Sequence, residues 1–228
     1  MKRSEINEIL RNADDFIRSF GFKLPPFAYW PPEKMKARRA DISAIIEARL
    51  GWDITDYGQN NFDNVGLFLF TIRNGKKEDM SHAGGMCYAE KIMISRQDQV
   101  SPMHRHMDKT EDIINRGGAN LAIEMFESGK DGKIDPNADV FVKTYGIQQC
   151  QKPGDILILS PGESVTLKPG NWHAFWGEGG DVLVGEVSSV NDDLNDNVFE
   201  ASIGRFAEIN EDVAPSYLLV SDYEAFLK

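Results

Sequence analysis

The sequence is poor in cysteine and has no long hydrophobic run. Its two cysteines, Cys87 and Cys150, lie far apart and in no paired motif, so neither a disulfide framework nor a thiolate zinc site is expected. No run of about twenty apolar residues is present, and the charged, amphipathic opening MKRSEINEILRNADDF lacks the apolar segment of a secretory signal. These absences predict a cytoplasmic protein that does not enter a membrane.

Positive charge is also scarce. The chain has 25 Lys and Arg against 36 Asp and Glu, a formal net charge of -11, and no long basic run. Such a chain repels polyanions, so nucleic acid and anionic membranes are not expected partners. Hydrophobic residues make up 41% of the sequence, which is too much for a disordered chain. We expect one domain over residues 1–228.

The first fifty residues carry helical patterns. Over 2–20 the apolar residues recur every three or four positions, which predicts an amphipathic helix with Ser4 as its N-cap and Gly21 at its end. A proline-rich connector follows, and a second helix is predicted near 40–50. We interpret 1–52 as a helical extension packed on the rest of the chain.

From residue 62 to residue 190 the pattern changes to short strands separated by turn residues. The runs that predict strands are GLFLFTIRNGK, AEKIMISRQD, ANLAIEMFESGKDGK, ADVFVKTYG, GDILILSPG, ESVTLKPG and GDVLVGEVS. Evenly spaced short strands without intervening helices are typical of an antiparallel sandwich or barrel. The remaining segment, 191–228, is acidic and mixed, and either folds over one end of the barrel or helps to form a dimer.

Three of the four histidines stand at positions that suit a metal site. His104 and His106 are two residues apart, so their rings can reach one ion only if this segment is a strand. Glu111 follows at an odd offset, which requires a turn or bulge through 107–110. His173 comes after a Pro-Gly turn and begins another predicted strand, so its ring can face the same interior.

Three imidazoles and one carboxylate form a nitrogen and oxygen ligand set that suits Mn, Fe, Co, Ni or Zn. Four protein ligands leave two positions of an octahedral ion for water or for substrate oxygens, as a catalytic site requires. A lone H-x-H motif occurs on many strands and would not indicate a metal site. Its combination with a later Glu and a P-G-x-x-H motif is far more restrictive, so we favour metal binding. The fourth histidine, His82, is interpreted as a solvated or hydrogen-bonded loop residue.

Two groups of segments resemble a known family. HRHMDKTE is similar to the first cupin motif and GESVTLKPGNWH to the second. Longer segments, AEKIMISRQDQVSPMHRHMDKTEDIINRGG, KPGNWHAFWG, EVSSVNDDLNDN and GRFAEINED, resemble the D-lyxose isomerases, cupins that interconvert D-lyxose and D-xylulose with a divalent metal, typically Mn2+. The resemblance implies a mainly β cupin barrel (double-stranded β-helix, or jelly-roll) with N-terminal helices, a homodimer, and the metal ligands His104, His106, Glu111 and His173.

Such an isomerase moves a proton between adjacent carbons, which requires a base with a suitable pKa and a group that stabilises a negative oxygen. Lys109 lies between two of the implied ligands and is a candidate acid or base. Glu186, after the apolar run DVLVG, is a candidate base, and Glu200 in the C-terminal segment is another. Lys109 can equally be interpreted as a surface lysine in a polar turn, and the alternative interpretation of Glu186 is a solvent-facing strand residue.

Other residues are candidates for binding a sugar. Lys91 begins the run KIMIS, and Trp172 flanks His173 together with Phe175 and Trp176. Asp196 and Arg205 belong to segments that resemble the family. The same segments contain Asp192, Asp193 and Asn197. For these loop residues, capping of the loop and surface charge are the alternative interpretation.

Two other functions suit the same ligand set. An iron-dependent cupin oxygenase would use it for redox chemistry and would consume oxygen. A sugar-binding cupin would use it without turnover, although a transcriptional sensor is disfavoured because no DNA-binding region accompanies the predicted barrel. Among isomerases, conversion of D-mannose to D-fructose is a second reaction to expect, because D-mannose shares the relevant configuration with D-lyxose.

Overall fold

The computed structural model describes residues 1–78 and 85–227. Within these ranges the chain forms four α-helices and a sheet of twelve strands. The helices are α1 (Arg3–Ser19), α2 (Pro32–Ala37), α3 (Ser43–Glu47) and α4 (Tyr223–Phe226), with a 3-10 turn at Pro26–Tyr29. The strands are β1 (Gly51–Thr55), β2 (Leu67–Asn74), β3 (Tyr88–Ser95), β4 (Ser101–His106), β5 (Glu111–Ser128), β6 (Ile134–Asp135), β7 (Val140–Thr144), β8 (Ile147–Gln151), β9 (Ile156–Leu159), β10 (Ser164–Leu167), β11 (Trp172–Ser189) and β12 (Asn197–Phe199).

Helix α1 forms where the apolar stripe predicts it, and Gly21, with a φ of 73°, follows its end. Its N-cap is Lys2, which corrects the prediction of Ser4. The Lys2 amide donates to Glu5 Oε2 at 2.9 Å, whereas the Ser4 hydroxyl donates to Asp212 Oδ2 at 2.6 Å. Ser4 is therefore drawn into a tertiary contact instead of capping the helix.

The second predicted helix, α3, is shorter than the segment near 40–50 that predicts it. Residues 43–47 are helical, and Arg49 then adopts a φ of 52°. Gly51 starts β1 with a φ of 134°, and a side chain at this position would collide with the Tyr223 hydroxyl. The chain thus turns from helix to strand within four residues because glycine permits both the conformation and the close contact.

Strands β5 and β11 are the longest elements, at 18 residues each. Each of them runs through a pair of adjacent glycines with positive φ. Gly117 and Gly118 have φ values of 147° and 98°, and Gly179 and Gly180 have φ values of 78° and 154°. The pairing of the two strands shifts register between Glu178 and Val182, so the glycines form bulges that bend the strands.

Because they bend, β5 and β11 contribute to both halves of the sheet. The first half has the order β1-β2-β3-β11-β5-β10-β7-β8. In the second half β12 pairs with β4, β4 with β11, and β9 with β5. All of the pairs are antiparallel. One core cluster contains side chains of both halves, including Ile113, Leu121, Ile123, Phe175 and Val184. The mainly β fold with N-terminal helices is confirmed.

The two ends of the chain pack on the sheet. Ile6 and Leu10 of α1 share a cluster with Trp52 and Phe70 of β1 and β2. Leu219 bridges to Trp52, so part of the segment after residue 191 covers the free edge of β1. The sheet itself runs from Gly51 to Phe199, and the division at 1–52, 62–190 and 191–228 stays a prediction. In the described part of the chain, no helix combines the length and apolar character that a membrane span requires.

Candidate active site

The structure brings His104, His106 and His173 together inside the barrel. His104 and His106 lie on β4, and His173 lies on β11 directly opposite His104. Each ring offers one nitrogen, and these atoms lie within 4.8 Å of one another. Ligand atoms around one ion at about 2.1 Å are roughly 3 to 4 Å apart, so the cluster is close to the size of a metal site. His82 lies outside the described residues.

Glu111 joins this cluster as the first residue of β5. Its Oε1 atom lies 3.2 Å from His106 Nε2 and 3.2 Å from His173 Nε2. The turn that the odd spacing requires occupies 107–110, between the end of β4 and the start of β5. The turn thus places Glu111 beside the histidines.

The buried polar atoms of this cluster suit a cation. The Nδ1 atoms of His104 and His173 lie 2.8 Å and 3.1 Å from the carbonyl oxygens of Pro102 and Asn171, so each Nδ1 carries the proton and each Nε2 presents a lone pair. Among the described residues, His173 Nε2 and Glu111 Oε1 have no hydrogen-bond partner. A buried unpaired polar atom costs about 1–3 kcal/mol, and a metal ion would remove that cost.

The local charges keep these groups in their metal-binding forms. Burial, followed by the neighbouring His173 and His106, lowers the pKa of His104 well below its ordinary value. Burial and Lys109 lower the pKa of His106 in the same direction. Burial alone would raise the pKa of Glu111, but Lys109 and His106 hold it well below its usual range. Neutral imidazoles and an ionised carboxylate are the forms that bind a metal.

A chain of buried charges continues from Glu111 away from the histidines. Lys109 Nζ lies 2.7 Å from Glu111 Oε2 and 2.9 Å from Glu186 Oε1. Lys91 Nζ lies 3.3 Å from Glu186 Oε1 and donates to Asn191 Oδ1 at 2.7 Å. Glu186 of β11 pairs in register with Lys91 of β3, so the sheet itself sets this contact.

Both members of the Lys109 and Glu186 pair are ionised. Burial opposes the charge of Lys109, but Glu111 and Glu186 outweigh it and raise the pKa of the ammonium group. Burial likewise opposes the charge of Glu186, but Lys109 and Lys91 lower the pKa of its carboxyl group. The site therefore holds a carboxylate that can accept a proton and an ammonium that can donate a hydrogen bond.

Tyr57 and Ser101 also line the cavity, on the wall that contains Arg205. Asp53 contacts Arg205 although it is not among the described lining residues. Tyr57 shares a hydrogen bond of 2.9 Å with the Ser101 hydroxyl, and burial raises the pKa of its phenol. Asp53 accepts a hydrogen bond of 3.0 Å from Arg205 Nη2, and Asp193 Oδ1 lies 3.4 Å from the same nitrogen. Tyr57 and Asp53 belong to no motif, so only the fold reveals them, whereas Ser101 lies within a segment that resembles the family.

The cavity between these walls has a volume of about 50 Å³. It is lined by Tyr57, Leu67, Leu69, Lys91, Met93, Ser101, His104, His106, Lys109, Glu111, Ile113, His173, Phe175, Glu186, Asp193, Asn197, Phe199 and Arg205. Arg205 Nη1 is buried and has no hydrogen-bond partner within residues 1–78 and 85–227. The cavity lining thus combines polar and charged groups with apolar side chains.

Three predicted site residues lie elsewhere in the described structure. Glu200 is exposed, so it does not contribute to the buried charges. Trp172 is buried beneath the guanidinium of Arg105, which lies 5.4 Å from its ring centroid. Asp196 is buried, and its carboxylate accepts hydrogen bonds from backbone amides of the 107–110 turn. Neither Trp172 nor Asp196 is among the side chains that line the cavity in the described ranges.

The fold and the buried histidine cluster define a cupin-like barrel. A solved structure of L-ribose isomerase from Cellulomonas parahominis with L-ribose superposes with a TM-score of 0.62, and the match covers 92% of this chain and 98% of that one. The L-ribose isomerase of Acinetobacter sp. DL28 in complex with L-ribose gives a TM-score of 0.61 with the same coverage of both chains. Each is 15% identical to this chain in sequence, so these similarities establish the fold alone.

The chain belongs to the D-lyxose isomerase family, because the family model for D-lyxose isomerase matches residues 1–223. The D-lyxose/D-mannose isomerase of Serratia proteamaculans is 45% identical over 231 residues, with 100% of both chains covered. The protein with the same description from Escherichia coli O157:H7 is 45% identical, with 99% of this chain and 100% of that one covered. The chain is thus an enzyme of the aldose–ketose isomerase class.

Proposed function

We propose that this enzyme interconverts D-lyxose and D-xylulose. The observation that carries the proposal is the buried Glu186 and Lys109 pair beside the three-histidine cluster. D-Mannose and D-fructose are a second substrate pair, because the relatives from Serratia proteamaculans and Escherichia coli O157:H7 are described as D-lyxose/D-mannose isomerases. Both reactions require the same proton transfer between the first two carbons of the sugar.

We propose that the enzyme binds one divalent metal ion. The ion is Mn2+ in the first place, with Co2+, Ni2+, Fe2+ or Zn2+ as alternatives. Its proposed ligands are His104, His106, Glu111 and His173. The unpaired His173 Nε2 and Glu111 Oε1 support this assignment. A bound divalent ion would act as a Lewis acid on sugar oxygens and neutralise negative charge that develops on them.

Glu186 is the proposed base. It removes the proton from C2 of the aldose while the C1 carbonyl oxygen takes a proton from solvent, which gives the enediol. Glu186 then returns its proton to C1 as the C2 hydroxyl gives a proton back to solvent, and the ketose results. A buried carboxylate with a lowered pKa is ionised at neutral pH and can begin this cycle. Glu200 is exposed, so Glu186 is preferred as the carboxylate that acts.

Lys109 is the proposed partner of Glu186. Its ammonium group lies 2.9 Å from Glu186 Oε1 and can both orient that carboxylate and donate a hydrogen bond to an oxygen on which negative charge develops. Because its pKa is raised by Glu111 and Glu186 against the effect of burial, it remains protonated through the reaction. It stabilises charge and does not compete with Glu186 as a base.

Lys91 and Arg205 are the proposed sugar-binding residues. Both line the cavity, and Arg205 Nη1 is a buried donor that needs an acceptor. The sugar-binding roles predicted for Trp172 and Asp196 lack this support, because their side chains are occupied elsewhere. A homodimer in the cytoplasm is proposed on the resemblance and the sequence composition alone.

The test is to strip the protein of metal and incubate it with D-lyxose, D-mannose or D-xylulose, with and without Mn2+. We expect interconversion that Mn2+ restores and a chelator removes. No metal-dependent interconversion of any of these sugars would refute the proposal. Oxygen uptake in the same assays would favour the cupin oxygenase, and sugar binding without turnover would favour a binding protein.

A further inference from the structure

Asp196 lies immediately before β12 and is buried. Its Oδ1 atom accepts hydrogen bonds from the amides of Met107 at 3.0 Å and Asp108 at 2.7 Å. Its Oδ2 atom accepts one from the Lys109 amide at 3.2 Å. One carboxylate therefore holds three consecutive amides of the turn that joins the two ligand-bearing strands β4 and β5.

The same carboxylate faces the back of a ligand histidine. Asp196 Oδ2 lies 3.6 Å from His106 Nδ1, a buried nitrogen without a hydrogen-bond partner in the described part of the chain. The other two rings, His104 and His173, already have a carbonyl oxygen behind Nδ1. Asp196 Oδ2 thus lies behind His106, at a longer distance, in the place that a backbone oxygen takes behind each of the other two rings.

The position of Asp196 is fixed by pairing with the ligand strand. Asn197, the next residue, pairs with His106, and Phe199 pairs with His104. The Met107 amide also donates to the Asp196 carbonyl oxygen at 3.1 Å. Backbone and side chain together therefore attach Asp196 to the end of β4, and backbone amides take three of the roughly four acceptor sites of its carboxylate.

We infer that Asp196 is a positioning residue of the metal site, an inference that rests on the metal site of the proposed function. Through the turn it places Glu111 beside the histidines, and through His106 Nδ1 it orients the ring so that Nε2 points to the other ligand atoms. Partners of this kind behind a ligand histidine typically contribute 10- to 100-fold to metal affinity. Asp196 acts without touching the sugar.

The discriminating variant is Asp196→Asn. The asparagine oxygen can still accept hydrogen bonds from the Met107 and Asp108 amides, but its NH2 group cannot accept one from the Lys109 amide and places a donor instead of an acceptor beside His106 Nδ1. We expect the metal-stripped variant to unfold near the wild-type temperature and to bind Mn2+ about 10- to 100-fold more weakly in calorimetric titrations. The visible spectrum of the Co2+-loaded variant should also differ from that of wild type.

Two further variants make the result interpretable. Asp196→Ala removes the contacts to the turn as well, so it should lower both the unfolding temperature and the Mn2+ affinity. Asp192→Asn is the matched control, because Asp192 accepts hydrogen bonds from Leu194 and Asn195 of its own loop. It should bind Mn2+ like wild type.

The outcomes separate this inference from the proposed function. Wild-type Mn2+ affinity and a wild-type Co2+ spectrum in Asp196→Asn overturn the inference and leave the metal site intact. A lowered unfolding temperature with unchanged affinity also overturns it, because Asp196 would then only stabilise the fold. A wild-type protein that binds no Mn2+ overturns the metal site and this inference with it.

Discussion

Two clusters of buried charge in this protein differ in how completely their atoms are paired. At the chain ends, the guanidinium of Arg3 forms four hydrogen bonds of 2.6 to 2.9 Å with both oxygens of Glu211 and both oxygens of Asp222. In the barrel, Glu111 Oε1 and His173 Nε2 have no hydrogen-bond partner among the described residues. The first cluster is complete without a ligand, and the second is not.

The difference indicates which buried charges serve stability and which serve chemistry. Buried polar groups in native proteins are almost always paired, so a cluster of unpaired atoms in one cavity needs an explanation such as a ligand or a catalytic role. The Arg3 cluster ties α1 to the C-terminal segment and should affect the free energy of unfolding alone. The barrel cluster should affect metal binding and turnover, and variants in the two clusters can test this division.

The largest effect is expected from His104→Ala. The variant loses one of the three imidazoles of the cluster, so metal retention and turnover should both fall, the latter by at least about 1,000-fold if the ion supplies several kcal/mol. Metal content is measured by plasma mass spectrometry and turnover by ketose formation. Full metal occupancy in this variant would show that the ligand assignment is wrong.

The next effect is expected from Glu186→Gln. The amide cannot accept the proton from carbon, so kcat should fall by about 100- to 10,000-fold, while the Mn2+ content stays at the wild-type level. Glu178→Gln is the matched control, because Glu178 is an exposed glutamate on the same strand. Normal turnover in Glu186→Gln would remove Glu186 from the mechanism.

A different kind of effect is expected from Arg3→Met. The variant leaves the Asp222 carboxylate buried without its partner, which should lower the free energy of unfolding by about 3–5 kcal/mol. Urea denaturation measures this change, and kcat per folded molecule should remain at the wild-type value. A loss of turnover in the folded variant would contradict the division between the two clusters.

The smallest effect concerns pH and Glu211. The hydrogen bond from Arg3 lowers the pKa of Glu211 against the opposing effect of partial burial. A lowered pKa in the folded state stabilises the protein above the unfolded value of about 4.3, and this contribution is lost as pH falls through the folded value. The side chain is 45% exposed, so the contribution should be below about 1 kcal/mol.

The measurement compares wild type with Glu211→Gln by urea unfolding at pH 7 and at pH 3. The difference in the free energy of unfolding should be present at pH 7 and smaller at pH 3. A difference that stays constant with pH would mean that the ionised form of Glu211 does not stabilise the fold.

Local patterns predicted a large part of the fold. The apolar stripe of α1 and the i, i+2 spacing of His104 and His106 depend only on the period of a helix or strand. The offset of Glu111 likewise required a turn, and the structure has one at 107–110. Each of these features depends on residues that are only a few positions apart, so the local sequence is enough to predict it.

Features decided by distant contacts could not be predicted in this way. In the sequence alone, the adjacent Gly179 and Gly180 are typical of a turn. In the structure they form a bulge of β11, because β5 pairs with β11 on both sides of them. Tyr57 and Asp53 enter the site only because β1 and the loop after it lie beside Ser101 and Arg205. Asp196 was expected to bind sugar, since nothing in its own segment predicts contacts with a turn about ninety residues earlier.

The long strand β11 limits which parts of this enzyme can be altered by substitution. It carries both His173 and Glu186, and its ladder pairs Glu186 with Lys91 and Ser188 with Glu111. The proposed metal ligand and the proposed base are thus held on one strand whose ladders, although bulged between Glu178 and Val182, cannot slide without exposing their backbone. Asp193 and Arg205 line the same cavity but lie outside the strands, so we expect substitutions there to alter the choice of sugar while the spacing of the proposed ligand and base stays fixed.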